Sequence, residues 1–130
     1  MFAENRKDVT YTAVVLAAGS GRRMKSDLPK QYMDLSGKPL IYYALKAFQD
    51  SPIPEIVLVV SKGDIDYCRR EIVERFQLDK VKEIVEGGNE RAESVLNGLE
   101  ASSGEYVLIH DGARAFLTQD VITRMMEGVL

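Results

Sequence analysis

Four short apolar runs, each separated from the next by a helical pattern, constrain the fold of this chain more than any other feature. The runs cover residues 12–18, 55–60, 82–86 and 105–109 and are rich in Val and Ile. Three of them are nearly continuous rather than alternating, which is typical of strands buried on both faces of a parallel sheet. The sequence therefore predicts an α/β fold with a mostly parallel sheet, flanking helices and right-handed crossovers.

The segments between and after these runs carry apolar residues at helical spacing. Pro39 opens the first such segment, and Thr118 is the expected N-cap of the last. The four predicted apolar faces consist of Ile41, Ala44, Leu45 and Phe48; of Ile65, Cys68, Ile72 and Phe76; of Ala92, Val95, Leu96 and Leu99; and of Val121, Ile122, Met125, Met126 and Val129. We expect a polar lead-in at residues 1–10 and one domain over residues 11–130, since 130 residues suit a single domain.

Charge and composition argue against several classes of partner. The formal net charge of −3 offers no basic footprint for general binding to nucleic acid or to a membrane surface. No apolar run approaches membrane-spanning length, and the first ten residues lack the apolar core of a secretory signal. Cys68 is the only cysteine, which excludes an internal disulfide and suits a core position. We therefore expect a cytoplasmic chain with no nucleic-acid or membrane partner.

One loop carries a local excess of positive charge. Gly19 and Gly21 follow the first apolar run, and four cations against a single carboxylate lie between residues 22 and 30: Arg22, Arg23, Lys25 and Lys30 against Asp27. Glycines that permit close backbone approach, beside Arg and Lys, favour a phosphate chain as the ligand. The alternative is a strand-to-helix turn with a solvated basic surface.

The basic loop fits neither of two common phosphate-binding motifs. A Walker A loop needs Gly-Lys-Ser/Thr at its end, which is absent, and a dinucleotide fingerprint needs a third small residue where Met24 stands. Four cations suit a triphosphate. In parallel sheets a ligand lies at the carboxyl ends of the strands, which here indicates the loops after residues 16–18, at 87–88 and at 110–114.

Four stretches in order, "LAAGSGRRM", "PKQY", "GGNERAESVLNGL" and "IHDGARAF", resemble the 2-C-methyl-D-erythritol 4-phosphate cytidylyltransferase family of non-mevalonate isoprenoid synthesis. The resemblance implies a Rossmann-like, nucleotide-diphosphosugar-transferase fold that is incomplete at the C-terminus. It also implies cytidylyl transfer from CTP to a polyol phosphate, with release of pyrophosphate. The nearest alternative is ribitol-5-phosphate cytidylyltransferase, and a more distant one is a sugar-1-phosphate uridylyl- or guanylyltransferase. An alternative of another class is a catalytically silent CTP-binding fragment.

The resemblance also implies roles for individual residues. The implied set is Arg23 and Lys30 for transition-state charge; Ala17, Ala18, Gly19 and Gly21 around the nucleotide; Gly88, Asn89 and Ser94 for cytosine; and Asp111 for Mg²⁺ or another divalent cation. Asn89 is also a candidate helix cap, and Asp111 has an alternative as a turn-forming residue. Arg114 is left open between Asp111 and a phosphate, and His110 is expected to be structural. Gly112 and Ala115 replace residues common in the family, so we expect a looser loop there.

The resemblance runs from about Thr12 to the end of the chain and covers the N-terminal half to two-thirds of the family's length. The family's dimerisation arm, and the distant Arg and Lys that hold the acceptor phosphate, have no counterpart in these residues. A full-length member is expected to be a homodimer. For this chain we expect the 105–109 strand to form an open sheet edge, which invites self-association.

Overall fold

The computed structural model describes residues 9–18, 29–114 and 116–128. The strands are β1 (Tyr11–Ala17), β2 (Asp34–Leu35), β3 (Lys38–Pro39), β4 (Glu55–Val60), β5 (Val81–Glu86) and β6 (Tyr106–Asp111). The helices are α1 (Leu40–Gln49), α2 (Ile65–Cys68, continued by a π-helical segment Arg69–Glu74), α3 (Arg91–Ala101) and α4 (Gln119–Glu127), with a 3₁₀ turn at Lys30–Tyr32.

The main sheet is parallel and has the strand order β5-β4-β1-β6. The chain moves outward from β1 through β4 to β5 and then crosses back to place β6 on the other side of β1. Ala17 pairs with Val60 on one side of β1, and Leu16 pairs with Asp111 on the other. The four predicted strands are confirmed, and β6 continues through Asp111, two residues beyond the predicted run. β2 and β3 form a separate antiparallel pair.

Helices cover both faces of this sheet, as expected for strands that are apolar throughout. One core joins alternate residues of β1 and β4 to α1, α2 and α4, and it contains the fully buried Phe48, Ile72 and Ile122. A smaller core on the opposite face joins the remaining β1 and β4 residues, including Val14 and Val59, to α3. Both faces of β1 are therefore buried, which explains its nearly continuous apolar sequence.

Three of the four helical predictions are confirmed in their buried faces. Ile41, Ala44, Leu45 and Phe48 of α1 are all buried. Cys68 lies in the core, as predicted, and shares it with Ile72 of the π-helical segment. Thr118 caps α4, since its side-chain oxygen accepts a hydrogen bond from the Val121 amide at 3.1 Å. The predicted contribution of Val129 lies outside the described residues.

The predicted apolar face of α3 is wrong for three of its four residues: Val95 packs against the smaller core, but Ala92, Leu96 and Leu99 are exposed. Leu96 and Leu99 are 53% and 40% exposed, whereas Ser94 and Gly98 are buried. The reason is close packing between the helix backbone and the sheet: a Cβ added to Gly98 would lie 2.6 Å from Cγ1 of Val14. A glycine at the contact lets the helix approach β1 more closely than a leucine would, so the large side chains are turned outward.

The two edges of the sheet differ in sequence. β6 lies at one edge, as predicted, and exposes Tyr106, which is 57% accessible. The other edge is β5, where Lys82 and Glu83 are exposed and the pairing with β4 contains a register shift. Exposed charges and irregular pairing are features that discourage further strand addition. The self-association expected of the β6 edge stays a prediction. Within the ranges that the structure describes, no helix combines the length and apolarity needed to span a membrane.

Candidate functional site

A two-lobed cleft lies at the carboxyl edge of the sheet, around the end of β1. The first lobe, of about 270 Å³, is lined by Leu16, Ala18, Gly88, Asn89, Glu90, Arg91, Ser94 and Asp111. The second lobe, of about 300 Å³, is lined by Leu16, Ala17, Ala18, Lys30, Gln31, Asp111, Ala113 and Arg114. Leu16, Ala18 and Asp111 belong to both lobes, so the two form one continuous site. The end of β1 and the turns at 87–88 and 110–114 thus lie together at the carboxyl edge of the sheet, and ligand binding there stays a prediction.

The first lobe depends on a glycine turn packed tightly between β1 and α3. The Gly87 amide donates a hydrogen bond to the Val60 carbonyl at 2.8 Å, which extends the β4–β5 pairing to the edge of the cleft. A Cβ added to Gly87 would lie 2.3 Å from Oγ of Ser94 and 2.6 Å from Cβ of Ala18. Gly87 is therefore needed here for the space that it leaves, since any side chain would separate the end of β1 from α3.

Hydrogen bonds from α3 hold the turn that follows Gly87. The buried Ser94 hydroxyl accepts a hydrogen bond from the Gly88 amide at 3.1 Å. Oε1 of Glu93 accepts from the Asn89 amide at 2.7 Å and from the Glu90 amide at 3.1 Å. The N-cap residue is Glu90, so the prediction that Asn89 caps this helix is wrong. The acidic residue at position 93 takes that role, because its carboxylate reaches back to the first amides of the helix.

The second lobe places Lys30 beside the end of β1. Lys30 is exposed and lies on the 3₁₀ turn, whereas the next two residues, Gln31 and Tyr32, are buried. Nε2 of Gln31 donates a hydrogen bond to the Ala17 carbonyl at 2.6 Å. Sequence reasoning missed Gln31, since a glutamine beside a turn lysine carries no pattern of its own. Its burial became visible only in the folded chain.

Asp111 lies between two arginines at the junction of the lobes. Its Oδ1 is 3.6 Å from Nη2 of Arg91, and its Oδ2 is 4.0 Å from Nε of Arg114. These side chains are largely exposed, so the ion pairs are weak and either arginine is free to turn toward a ligand. The Arg114 amide also donates to the Asp111 carbonyl at 3.2 Å, which forms the turn after β6. Asp111 is thus both a turn residue and a cleft residue, and the two predicted roles are compatible.

Gly112 in this turn lies close to β1. The Gly112 amide donates to the Leu16 carbonyl at 2.7 Å, and a Cβ there would lie 3.1 Å from that same oxygen. The looser loop expected from Gly112 and Ala115 stays a prediction. The His110 ring packs edge-on against Phe48. Burial lowers the pKa of His110, against the opposing effect of a hydrogen bond with the Arg114 backbone. The imidazole is therefore neutral at pH 7, in line with its expected structural role.

Several predicted site residues lie outside the described residues. These are Gly19, Gly21 and Arg23, together with their neighbours Arg22, Lys25 and Asp27 and, after β6, Ala115. Of the predicted set, the structure brings Ala17, Ala18, Lys30, Gly88, Asn89, Ser94 and Asp111 to the cleft. Arg91 is a cleft residue that the sequence analysis did not select.

The parallel four-stranded sheet, with flanking helices, a glycine turn at residues 87–88 and a 3₁₀ turn at Lys30–Tyr32, is a nucleotidyltransferase-type fold. The family model described as IspD, 2-C-methyl-D-erythritol 4-phosphate cytidylyltransferase, matches residues 11–129. The chain belongs to this family.

Individual relatives agree with that assignment. The chain is 48% identical over 119 residues to the 2-C-methyl-D-erythritol 4-phosphate cytidylyltransferase of Lachnoclostridium phytofermentans, with 91% of this chain and 51% of the relative covered. It is 52% identical over 121 residues to the enzyme of the same name from Lachnospira eligens, with 92% and 53% covered. A crystal structure of 4-diphosphocytidyl-2C-methyl-D-erythritol synthase from Anaerococcus prevotii aligns with a TM-score of 0.74 at 27% identity, with 93% and 51% covered. The chain therefore spans about half the length of the relatives it matches.

Proposed function

We propose that the cleft binds CTP, with the cytosine in the first lobe and the triphosphate in the second, as the donor site of a cytidylyltransferase. The observation that carries this proposal is the continuity of the two lobes through Leu16, Ala18 and Asp111. A glycine turn with a serine on one side, and a lysine with an arginine on the other, suit the two chemically different ends of one nucleotide.

The first lobe offers hydrogen-bonding groups at fixed places. The Ser94 oxygen accepts from Gly88, and a hydroxyl that accepts one hydrogen bond can still donate its own proton. Cytosine presents acceptors at O2 and N3 beside the N4 amino donor, whereas uracil has the pattern exchanged at positions 3 and 4. We infer that the Ser94 hydroxyl and the backbone of the Gly88 turn select cytosine, since a site with fixed partners leaves them unpaired when the pattern is exchanged.

The second lobe offers positive charge where a triphosphate needs it. Lys30 and Arg114 line this lobe. Arg91 lines the first lobe, and its Nη2 lies 3.6 Å from Oδ1 of Asp111, which lines both. In the proposed transfer, a phosphate oxygen of the acceptor attacks the α-phosphorus of CTP. The new phosphorus–oxygen bond forms as the bond to the β-phosphate oxygen breaks, and pyrophosphate leaves with that electron pair. Both reactants are anions, so the cations of this lobe act by neutralising charge and fixing geometry.

Asp111 is the residue we propose to hold a divalent cation. Among the residues that the structure describes, no group of three or more His, Cys, Asp or Glu side chains forms a complete metal cage. A single carboxylate nevertheless fits Mg²⁺, which is commonly bound by one or two carboxylates together with substrate phosphates and water. The cation would supply further neutralisation of phosphate charge. Arg91 and Arg114 are weakly paired with Asp111 and would turn to the phosphates when the carboxylate is engaged.

Calorimetry on this chain with CTP and with cytidine, each with Mg²⁺, tests the proposal. CTP should bind more tightly than cytidine, and the difference should shrink as salt rises. Lys30→Ala should weaken CTP binding about ten- to a hundredfold, since a hydrogen bond to a charged group contributes about 1.5–3 kcal/mol. Lys82→Ala is the matched control, because Lys82 is an exposed lysine near the amino end of β5, away from the cleft. Equal affinity for CTP and cytidine would refute the placement of the triphosphate.

Transfer to 2-C-methyl-D-erythritol 4-phosphate, and the formation of a homodimer, are proposals for the whole protein, because this chain spans about half of its relatives. By family resemblance, the acceptor phosphate is held by an Arg and a Lys that these residues do not contain. We therefore expect these 130 residues to bind CTP with little or no turnover. A turnover assay on the whole protein, with CTP and either 2-C-methyl-D-erythritol 4-phosphate or ribitol 5-phosphate, separates the two acceptors. Turnover with ribitol 5-phosphate alone would contradict the assignment of the acceptor.

A further inference from the structure

Two buried polar residues follow the exposed Lys30, and the proposed binding of CTP does not by itself explain them. Gln31 is 7% exposed and Tyr32 is 5% exposed, although Lys30 before them and Met33 after them are both exposed. Burying the amide of a glutamine is costly unless it is hydrogen-bonded. The contacts of these two side chains therefore show how the turn that carries Lys30 is held in place.

The Gln31 side chain connects the 3₁₀ turn at Lys30–Tyr32 to β1. Its Nε2 donates to the Ala17 carbonyl at 2.6 Å, in a buried environment. Ala17 is the last residue of β1, and the segment from 18 to 30 contains the basic loop. This hydrogen bond therefore joins the two ends of that segment at the edge of the cleft.

The Tyr32 side chain connects the same turn to α2. Its hydroxyl lies 3.1 Å from Oδ2 of Asp64 and 3.2 Å from Sγ of Cys68. Its ring and the Tyr67 ring pack edge to face, with their centroids 5.3 Å apart. Burial, reinforced by Cys68 and Asp64, strongly raises the pKa of Tyr32, so the phenol stays protonated and donates to the carboxylate. The Tyr32 hydroxyl therefore links the turn to the start of α2 by a hydrogen bond, as the Gln31 amide links it to β1.

Backbone hydrogen bonds complete the support of Lys30. The Tyr32 amide donates to the Pro29 carbonyl at 3.0 Å, and the Met33 amide donates to the Lys30 carbonyl at 3.1 Å. The Lys30 backbone is therefore held by the turn, by β1 through Gln31 and by α2 through Tyr32. Lys30 and Gln31 both line the second lobe of the cleft, and the Lys30 side chain is the one that carries a charge.

We propose that Gln31 and Tyr32 are positioning residues that fix the Lys30 backbone, so that its ammonium group reaches the triphosphate of bound CTP without prior ordering of the turn. This inference rests on the proposed function of the cleft. Neither side chain needs to touch the nucleotide, because the effect passes through Lys30. A cation on a preordered backbone loses less conformational freedom on binding, and such preorganisation raises affinity without a new contact.

Two conservative variants test the proposal. Tyr32→Phe removes the hydroxyl and retains the ring, and Gln31→Met removes the amide donor and retains the chain length. Each should weaken CTP binding about three- to tenfold, which matches the net contribution of one hydrogen bond, and should leave cytidine binding unchanged. Gln49→Met is the matched control, since Gln49 hydrogen-bonds Asp79 and Lys80 at the far end of α1.

The same substitutions made in the Lys30→Ala variant show whether Gln31 and Tyr32 act through Lys30 or only support the fold. In Lys30→Ala, the variants at positions 31 and 32 should cause no further loss of CTP affinity, because the group they position is absent. Hydrogen exchange of the Tyr32 and Met33 amides in the ligand-free chain should increase in both variants and stay unchanged in Gln49→Met. These measurements show whether the turn has loosened, independently of nucleotide binding.

The possible outcomes are distinct. Equal losses of CTP affinity with and without the Lys30 side chain would overturn the proposal, as would parallel losses for CTP and cytidine. Unchanged amide exchange in both variants would also overturn it. CTP binding by the unmodified chain is measured before any variant is compared. If the unmodified chain does not bind CTP, the proposed function is overturned, and the role assigned to the turn is overturned with it. Loss of CTP affinity that depends on Lys30, together with faster exchange, supports it.

Discussion

Replacing Gly98 with alanine tests the packing that places α3 beside the cleft. Gly98 is buried against β1 and β4, and an added Cβ would lie 2.6 Å from Cγ1 of Val14 and 3.0 Å from Cγ2 of Val59. Both valines are fully buried in the sheet. Carbon atoms in favourable contact are about 3.5–4.0 Å apart, so either the helix or the strand must move by about 1 Å.

Two opposing terms set the size of the effect. Overpacking a close-packed core costs about 1–3 kcal/mol. Alanine in place of glycine within a helix stabilises the fold by about 0.5–1 kcal/mol, because alanine loses less conformational entropy than glycine when the chain folds. The net expectation for Gly98→Ala is a loss of about 1 kcal/mol in the free energy of unfolding, within a range of roughly 0–2.5 kcal/mol. The helix also carries Ser94 into the cleft, so CTP affinity should fall in the same variant.

Urea denaturation measures this loss, and the same helix supplies a control. Glu100 is exposed near the end of α3, so the difference between Glu100→Ala and Glu100→Gly measures the preference for alanine where nothing crowds the side chain. If Gly98→Ala is more stable than the unmodified chain by as much as Glu100→Ala is more stable than Glu100→Gly, the added methyl group meets no crowding and the close contact between α3 and the sheet is refuted.

Three further predictions concern single side chains. Ser94→Ala should reduce the preference for CTP over UTP about tenfold, because Gly88 loses its acceptor; an unchanged ratio would assign base selection to the backbone. Burial, with help from Asp64, raises the pKa of Cys68 to about 11 despite a hydrogen bond with Tyr32, so a thiol reagent at pH 8 should label the native chain slowly and the urea-unfolded chain rapidly; equally fast labelling would contradict its burial. The pKa of Glu55 is lowered, since hydrogen bonds from Thr12 and Ser103 outweigh the opposing effect of burial, so its contribution to stability is present at neutral pH and lost as pH falls below about 4. Glu55→Gln should therefore be less stable than the unmodified chain at pH 7, and the difference should narrow in acid; a difference independent of pH would show that the charge is not involved.

The sheet was predictable because burial on both faces leaves a strong signal. β1 and β4 are buried along nearly their whole length, and such runs are distinct from the polar segments between them. The rule that ligands bind at the carboxyl ends of parallel strands then located the end of β1 and two turns of the cleft without any knowledge of side-chain contacts. Strand order could not be obtained this way, because neither edge of the sheet is marked by periodicity alone.

The face of α3 was not predictable from apolar spacing. Sequence periodicity assumes that the largest apolar residues face the core, and this assumption selected Leu96 and Leu99. The helix instead presents Ser94 and Gly98 to the sheet, because the backbone lies too close for a leucine. Small residues spaced four apart carry the relevant signal here, and a hydropathy pattern gives them no weight.

Contacts between distant residues account for most of what the sequence analysis missed in the cleft. Gln31 acts on Ala17 across the basic loop, and nothing in the local sequence marks it as buried. The sequence analysis did not select Glu93 as a site residue, yet its carboxylate accepts hydrogen bonds from two amides of the turn before α3. Glu93 lies three residues after the N-cap Glu90, which is the spacing of a capping box.

Arg91 did carry a signal that local reasoning could have used. It is the first residue of α3, where the positive end of the helix dipole disfavours a cation. An arginine in this unfavourable position suggests a compensating negative group from elsewhere in the fold, and Asp111 lies 3.6 Å away. That exposed pair is too weak to account for the placement by stability alone. A triphosphate in the second lobe would provide a stronger reason, because a phosphate close to Asp111, which lines both lobes, would also lie close to the Arg91 guanidinium. The cost of this residue in the free chain is thus consistent with a site that is electrostatically complete only when an anion is bound.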